Sequence, residues 1–300
     1  MATKIVTPIG VFEKKDGSLL KKELFSKNPK KAAEQFRKKE ETGEVLSKAE
    51  IESLFSKHGF NFTDFMHKFN MELTKLDLKE ALSKPDFKII QVSNALDELE
   101  ESLNLYSERL REWYNLYYPE LSRQVSNHSS FAKVAVQEKP KETVAGNFNE
   151  QDEKELKRFA KFVKNSYKAK DDLANYLESL MQQNFKNLNA VAGAKVGAEL
   201  LAAVGSAKRL SRLPSSTIQV LGAEKALFRH LKEGTKPPKH GIILNHPLLQ
   251  MAPKHLRGKV ARKIAGKIAI AIRRDYFGGK FMGKALRKEL NEEVKKIRKK

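Results

Sequence analysis

The chain contains no cysteine, and this absence removes several classes of protein at once. Without thiols it has no disulfide framework, no thiol nucleophile, no iron–sulfur cluster and no cysteine-bearing zinc site. Long apolar segments are also lacking, because the longest, Ile264 to Ile272, is interrupted by Lys267 and is too short to cross a bilayer. The N-terminus shows no apolar stretch typical of a signal peptide. We therefore expect a soluble intracellular protein with no segment that crosses a membrane.

Acidic residues are scarce in only one part of the chain. The 300 residues include 58 Lys and Arg against 37 Asp and Glu, a net charge of +21. Residues 1–185 carry 31 basic and 30 acidic side chains, whereas residues 186–300 carry 27 basic and 7 acidic side chains, a net +20. This asymmetry indicates that the C-terminal part binds a polyanion: a nucleic acid, an anionic membrane surface or an acidic protein.

The N-terminal residues predict a small α/β domain over 1–86. Apolar residues flank Asp16-Gly17, a tight-turn dipeptide typical of a β-hairpin. Helical signals follow from Asn28-Pro29, from Ser47 to His58 and from Asn61 to Leu82. A module of this length holds a modest core of its own.

The middle of the chain carries an apolar seam at alternating spacings of three and four residues, from Ile89 to Tyr117. This heptad pattern predicts a coiled-coil helix. A second helical pattern from Leu156 to Leu180 predicts a long antiparallel coiled coil over residues 87–186. Because a bare two-helix hairpin buries little surface, we expect self-association or a docked partner. The residues assigned to the dimer contact are Leu96, Leu99, Leu103, Tyr106, Leu110 and Trp113.

Residues 187–300 predict a basic, all-α domain. The segment from Gly222 to Lys232 is typical of a helix that begins at glycine, and the free backbone N–H groups there predict a phosphate site. A stiff cationic loop follows from Lys236 to Gly241. The residues from Lys295 to Lys300 predict a loose electrostatic tail. A merely solvated basic surface is the alternative interpretation of these charges.

Other motifs in this region indicate no catalysis. The segment from Gly278 to Ala285 resembles a phosphate loop, but Ala285 stands where a Ser or Thr would hold magnesium, and a helix is predicted before it. A nucleotide-dependent enzyme is therefore disfavoured. The histidines show no metal-ligand spacing, and no Ser–His–Asp arrangement is apparent. His230 is compatible with stacking on a nucleobase or with local packing.

The segment Leu213 to Arg229, LPSSTIQVLGAEKALFR, closely resembles the signature of the Nop domain. The segments 238–241 and 258–262 fit its continuation, and 97–99 and 109–114 are similar to the coiled-coil region of that family. The resemblance covers about residues 87–280, and the order of modules resembles the archaeal Nop scaffold of box C/D small ribonucleoproteins. This match disfavours a coiled-coil protein of DNA or membrane surfaces.

The resemblance implies a non-enzymatic scaffold that binds a box C/D guide RNA containing a kink-turn, together with its kink-turn-binding protein. It also implies a homodimer and a partner methyltransferase, fibrillarin, which performs guide-directed 2′-O-methylation of rRNA or tRNA. S-adenosylmethionine would then belong to fibrillarin, and this chain needs no cofactor. The location would be cytoplasmic in an archaeon and nucleolar in a eukaryote. The alternative is a splicing-type Nop protein that binds a kink-turn snRNA complex without a methyltransferase.

The resemblance and the residue chemistry together assign roles in RNA binding. Gly222 and Ala223 bring backbone close to RNA, and Gln219 and His230 contact a base or sugar. Glu224 either accepts from a base or forms a structural pair, and we expect Leu227 and Phe228 to lie in the core rather than to wedge into RNA. The predicted RNA-binding residues are Gln219, Gly222, Ala223, Glu224, Lys225, Arg229, His230, Lys232, Lys236, Lys239, Lys259, Arg262 and Lys263. No catalytic or metal-binding residue is predicted.

Overall fold

A computed structural model of the chain describes residues 3–15, 18–39, 46–137 and 148–299. The chain divides into two compact units, Met1–Lys84 and Pro85–Lys300. The predicted fold class is confirmed: the first unit is a small α/β domain, and the described residues of the second are helices and their connections. A further division of the second unit near residue 186 stays a prediction.

The first unit is an antiparallel sheet of order β1-β2-β3 with three helices. Its elements are β1 (Thr3–Thr7), β2 (Gly10–Lys15), β3 (Ser18–Leu24), α1 (Pro29–Arg37), α2 (Lys48–Lys57) and α3 (Phe62–Leu82). The pairing of β2 with β3 is as predicted, while the turn dipeptide Asp16-Gly17 lies outside the described residues. Phe12, Phe55 and Phe69 are fully buried, so the unit has an aromatic core of its own.

Two long helices form the predicted hairpin in the second unit. They are α4 (Pro85–Tyr117) and α7 (Glu150–Asn184), and the shorter α5 (Pro119–Gln124) and α6 (His128–Gln137) lie between them in the chain. Glu100 pairs with Lys170 at 2.9 Å, and the hydroxyls of Ser107 and Tyr167 lie 3.0 Å apart. Since positions rise along α4 as their partners fall along α7, the hairpin is antiparallel.

The hairpin corrects the assignment of the heptad residues. Leu96, Leu103 and Leu110 are 7 %, 1 % and 0 % exposed within a single chain. They are therefore unavailable to a second copy, because α7 of the same chain covers the seam. Of the others, Leu99 and Trp113 are half-buried and Tyr106 is exposed. A heptad pattern shows that a helix has an apolar partner but does not show whether that partner belongs to the same chain.

Arg111 holds the chain segment that follows α4. Its guanidinium donates to the carbonyl oxygens of Val125 at 2.8 Å and Ser126 at 2.7 Å, and to Nδ1 of His128 at 3.0 Å. It also lies 4.3 Å from the ring centroid of Phe131. Burial lowers the pKa of Arg111 from its ordinary value. One side chain thus ties α4 to the loop before α6 and to α6 itself.

The remaining helices of the second unit follow the hairpin in the chain. They are α8 (Lys186–Ala192), α9 (Ala194–Val204), α10 (Ala207–Arg212), α11 (Ser215–Val220), α12 (Glu224–Glu233), a 3₁₀ helix (Ile242–Asn245), α13 (Pro247–Gln250), α14 (Arg257–Tyr276) and α15 (Gly283–Lys299). Val260, Ile264 and Ile268 of α14 are fully buried, as the apolar stripe predicts. The same core includes Ile89 and Leu177 from the hairpin. None of the helices in the described part of the chain is long and apolar enough to cross a membrane.

The predicted loose tail is wrong, because α15 continues to Lys299. Ile297 packs against the core, and Arg298 Nη2 donates to the carbonyl oxygen of Leu248 at 3.2 Å. Leu286, Leu290 and Val294 recur at helical spacing and are buried, so the basic residues at the end of the chain belong to an amphipathic helix.

Candidate nucleic-acid interface

Residues 223–240 leave the helical core and return to it, and we call this segment the arm. Its base is closed by hydrogen bonds from the amide of Gly241 to the carbonyl of Gln219 at 3.0 Å and from Ile242 to Leu221 at 2.8 Å. The side chain of Gln219 also donates to the carbonyl of Lys239 at 2.8 Å. Helix α12 has no buried residue, so the arm is largely exposed and projects from a fixed base.

Two glycines are required at this base. Gly222 has φ +86°, and a Cβ there would lie 2.6 Å from Cγ1 of Ile242. A Cβ on Gly241 would overlap the carbonyl oxygen of Leu221. Both positions therefore exclude other residues, either through backbone conformation or through close approach.

The first turn of the arm differs from the predicted phosphate site. The amide of Gly222 donates to Oε1 of Glu224 at 2.7 Å, so that N–H group is already satisfied. This is the structural pairing that was one of the alternatives for Glu224. His230 Nδ1 is hydrogen-bonded to the carbonyl of Thr235, which makes Nδ1 the protonated nitrogen and links α12 to the following loop.

A basic cleft lies between the loop of the arm and the first turns of α14. Its cavity measures about 440 Å³, and five of its lining residues were predicted: Gln219, Lys236, Lys239, Lys259 and Arg262. His255 and Gly258 also line it and were missed, although each stands one helical turn before a predicted residue. No carboxylate among the described residues lines the cleft. The N-terminus of α14 adds positive potential, which favours an anionic ligand.

The exposed face of α12 combines cations with apolar side chains. Lys225, Arg229 and Lys232 are exposed and form no ion pair with any described residue. Phe228 and Leu231 are 63 % and 69 % exposed, so the expectation that Phe228 lies in the core is wrong. The amphipathic spacing is present, but no second layer formed by the described residues covers the arm. These apolar side chains are therefore open to a partner.

Lys263 does not line the cleft and has an acidic partner, so its predicted contact with RNA is disfavoured. Its Nζ pairs with Oε2 of Glu293 at 2.9 Å, and Lys267 pairs with Glu289 at 2.5 Å. The hydrogen bond from Lys263 lowers the pKa of Glu293. The lysine stripe on α14 therefore divides: Lys259 faces the cleft, whereas the next two lysines are neutralised by α15.

Carboxylates gather on a different surface of the second unit. Asp97, Glu100 and Glu199 line a cavity of about 620 Å³ between α4 and α9. Lys195 pairs with Glu100 at 2.7 Å, and burial raises the pKa of Glu199 and of Asp97. Across residues 3–15, 18–39, 46–137 and 148–299, no group of three or more His, Asp or Glu is placed to hold a metal ion. This acidic surface would repel phosphate.

Comparisons with known proteins identify the family of this chain. A sequence model of the Nop family, described as snoRNA binding domain, fibrillarin, matches residues 95–146 and 136–296. The chain is 40 % identical over 268 residues to an uncharacterized NOP5 family protein of Methanocaldococcus jannaschii, covering 80 % of this chain and 64 % of that protein. It is 34 % identical over 225 residues to Nucleolar protein 58 of Candida albicans, covering 67 % of this chain and 44 % of that protein.

Among solved structures, the crystal structure of a fibrillarin/NOP5P complex aligns with 98 % of this chain and 99 % of the matched chain, at 26 % identity and a TM-score of 0.49. The chain spans less than two thirds of the length of the curated relatives named above. The family match covers more than half of the chain and includes most of the hairpin, the arm and the cleft. The chain therefore belongs to the Nop family.

Proposed function

We propose that this chain is a non-enzymatic scaffold of a box C/D small ribonucleoprotein. It binds a kink-turn guide RNA together with its kink-turn-binding protein, and it recruits fibrillarin for guide-directed 2′-O-methylation. The observation that supports the RNA-binding role is the joined surface of arm and cleft. Its cleft gathers Lys236, Lys239, Lys259 and Arg262 without a carboxylate among the described lining residues.

A rigid concave surface fits a folded RNA. The arm is fixed at its base by two backbone hydrogen bonds and one side-chain hydrogen bond, so its lysines keep their positions relative to α14. Phosphates of a folded RNA also keep fixed positions, and the cost of ordering both partners on binding is reduced. A membrane surface would not require a concave site.

The arm also fits a composite ligand of RNA and protein. Phe228 and Leu231 are exposed beside Arg229 and Lys232 on one short helix. Phosphates can pair with the cations, but they cannot bury the apolar side chains. Exposed apolar side chains favour contact with a protein surface. The arm is therefore suited to a kink-turn RNA that is already bound by its protein.

Electrophoretic mobility shift of the full chain on a kink-turn RNA, with and without the kink-turn-binding protein, tests this proposal. We expect weak binding to the RNA alone and strong binding to the preformed complex. Equal affinity for random duplex RNA in both conditions would contradict the proposal.

Two lysines of α14 provide a matched pair of variants. Lys259→Gln removes a cation from the cleft, whereas Lys263→Gln removes one that already pairs with Glu293. We expect Lys259→Gln to lower the slope of log K against log salt by about 0.7 to 0.9, the value for one phosphate contact. The slope of Lys263→Gln should stay at the wild-type value. If Lys259→Gln and Lys263→Gln had the same salt slope, the RNA would bind outside the cleft.

The first unit is proposed to hold fibrillarin. It has its own core, and it exposes Leu20 on β3 together with Met71 and Leu78 on α3. Co-elution of the full chain with purified fibrillarin tests this part, and methyl transfer should require fibrillarin in every assay. If the chain does not co-elute with fibrillarin but still binds the kink-turn complex, the splicing-type alternative is favoured.

The homodimer is proposed to form through side chains on the outer faces of the hairpin. Since Leu96, Leu103 and Leu110 are buried within one chain, the available apolar residues are those that stay exposed. Leu105 and Leu116 of α4 are 66 % and 63 % exposed. A hairpin of this length with such residues on its surface is suited to pairing with a second copy.

A further inference from the structure

The turn between α14 and α15 concentrates exposed apolar side chains in a short segment. We call residues 276–282 the aromatic turn. Tyr276 is 39 % exposed, Phe277 67 %, Phe281 51 % and Met282 38 %. The rings of Tyr276 and Phe277 meet edge to face, with centroids 5.0 Å apart. Neither the arm nor the cleft includes any of these residues.

The backbone that carries these rings is held from both ends. At its start, the amide of Gly279 donates to the carbonyl of Arg274 at 2.7 Å, with Gly278 at φ +77°. At its end, the amide of Met282 donates to Oδ1 of the buried Asn187 at 2.7 Å. The rings are therefore displayed from a fixed turn.

Asn187 links the aromatic turn to both neighbouring helices. Its Nδ2 donates to Oδ1 of Asp275 at 2.7 Å, and the amide of Leu188 donates to Oδ2 of the same carboxylate at 2.8 Å. A Cβ on Gly283 would lie 2.5 Å from Cβ of Ala190, so α15 begins in close contact with α8. These contacts occupy the carboxylate of Asp275, which is the only acidic residue between Arg273 and Arg287.

Cations surround the aromatic turn and continue along α15. Arg274, Lys280, Lys284 and Lys288 form no ion pair with a residue that the structure describes. The carboxylates of Glu289 and Glu293 face the lysines of α14 instead. A shallow cavity of about 470 Å³ along α15 is lined by four cations and one carboxylate: Lys284, Arg287, Lys288, Lys295 and Glu292.

We propose that the aromatic turn and the lysines at 280, 284 and 288 bind an unpaired segment of RNA. Aromatic faces stack on bases of any identity, while adjacent cations contact the phosphates between those bases. An apolar protein partner would cover the rings but leave the cations without counter-charges. The arm exposes one ring and one aliphatic side chain, whereas this turn exposes three rings beside unpaired cations, and that combination favours a single strand.

This site is separate from the proposed kink-turn interface and does not depend on it. Lys259 and Phe277 stand at opposite ends of α14, and 18 residues of helix at about 1.5 Å per residue place them roughly 27 Å apart. Helix α14 would then separate a site for folded RNA at its N-terminus from a site for single-stranded RNA at its C-terminus.

Fluorescence anisotropy with a labelled oligouridine tests the stacking role in the full chain. The double variant Phe277→Ala, Phe281→Ala leaves the net charge unchanged. The nonspecific electrostatic attraction between RNA and residues 186–300 therefore stays the same. We expect the double variant to bind oligouridine at least about 5-fold more weakly, since loss of stacking on one ring weakens binding by about 5- to 150-fold. Phe277→Tyr, Phe281→Tyr should restore the affinity. Tyr176→Ala, a similarly exposed ring on α7, should bind as the wild type does.

Photocrosslinking with 5-bromouridine locates the bound strand. We expect crosslinked peptides from the aromatic turn, and Lys280→Gln, Lys284→Gln should lower the salt slope by up to about 0.7 per lysine. Unchanged affinity of the Ala double variant would overturn the proposal. Crosslinks confined to the arm and cleft would also overturn it. The same holds if the Ala double variant loses a protein partner but still binds oligouridine with wild-type affinity. Binding to the preformed kink-turn complex, measured in parallel, should be unaffected, which separates this site from the proposed function.

Discussion

Leu103 and Leu105 separate the two roles that an apolar residue on α4 can have. Leu103 is 1 % exposed and packs inside the hairpin, whereas Leu105 is 66 % exposed. Leu→Ala at a buried site lowers the free energy of unfolding by about 2–5 kcal/mol. The second unit has 216 residues, a size at which each kcal/mol lowers Tm by about 2–4 °C. We therefore expect Leu103→Ala to lower Tm by about 4–20 °C.

Leu105→Ala is the matched control, because substitutions at exposed sites usually change stability by less than about 0.5 kcal/mol. Thermal unfolding followed by circular dichroism compares the two variants at one protein concentration. Light scattering of Leu105→Asp then tests the proposed dimer surface, and we expect a monomer with intact helical content. Equal Tm values for the two alanine variants would refute the buried seam. An unchanged dimer in Leu105→Asp would refute the proposed contact.

Three further perturbations address single contacts. Burial lowers the pKa of His246. As pH drops below about 6.5, the unfolded chain binds a proton at this residue that the folded chain does not, so the free energy of unfolding should fall. His246→Asn keeps a helix-capping side chain and should show a weaker pH dependence in urea unfolding at pH 5 and 7. Arg111→Lys loses the guanidinium geometry and should destabilise residues 119–137 by about 1–3 kcal/mol in hydrogen exchange, while the exposed Arg109→Lys should not. Gly241→Ala should disturb the base of the arm by about 1–3 kcal/mol and increase its limited proteolysis.

Local periodicity made the elements of this fold predictable. The heptads from Ile89 to Tyr117 coincide with α4, and the apolar stripe Val260, Ile264 and Ile268 is buried as expected. These features depend on spacings of three and four residues, which a helix converts directly into a face. Most of the cleft was predictable for the same reason, since Lys259 and Arg262 lie on one exposed face of α14.

Contacts between distant segments were not predictable from the sequence. Lys263 has the same helical spacing as Lys259, but Glu293, 30 residues later, neutralises it. The exposure of Phe228 also depends on its surroundings, because its helix is amphipathic but lies in an arm that none of the described elements covers. Periodicity identifies a face but does not identify what lies opposite that face.

The net charge of residues 186–300 therefore does not show where on those residues a polyanion binds. Ion pairs with α15 neutralise Lys263 and Lys267, and Asp97 and Glu199 make one surface of the same unit acidic. The cations that stay unpaired include two groups at opposite ends of α14, one beside the rigid arm and one beside the aromatic turn. Simple charge attraction requires neither a rigid arm nor exposed rings. The two ends of α14 therefore favour two different conformations of RNA, a folded RNA beside the arm and a single strand beside the aromatic turn.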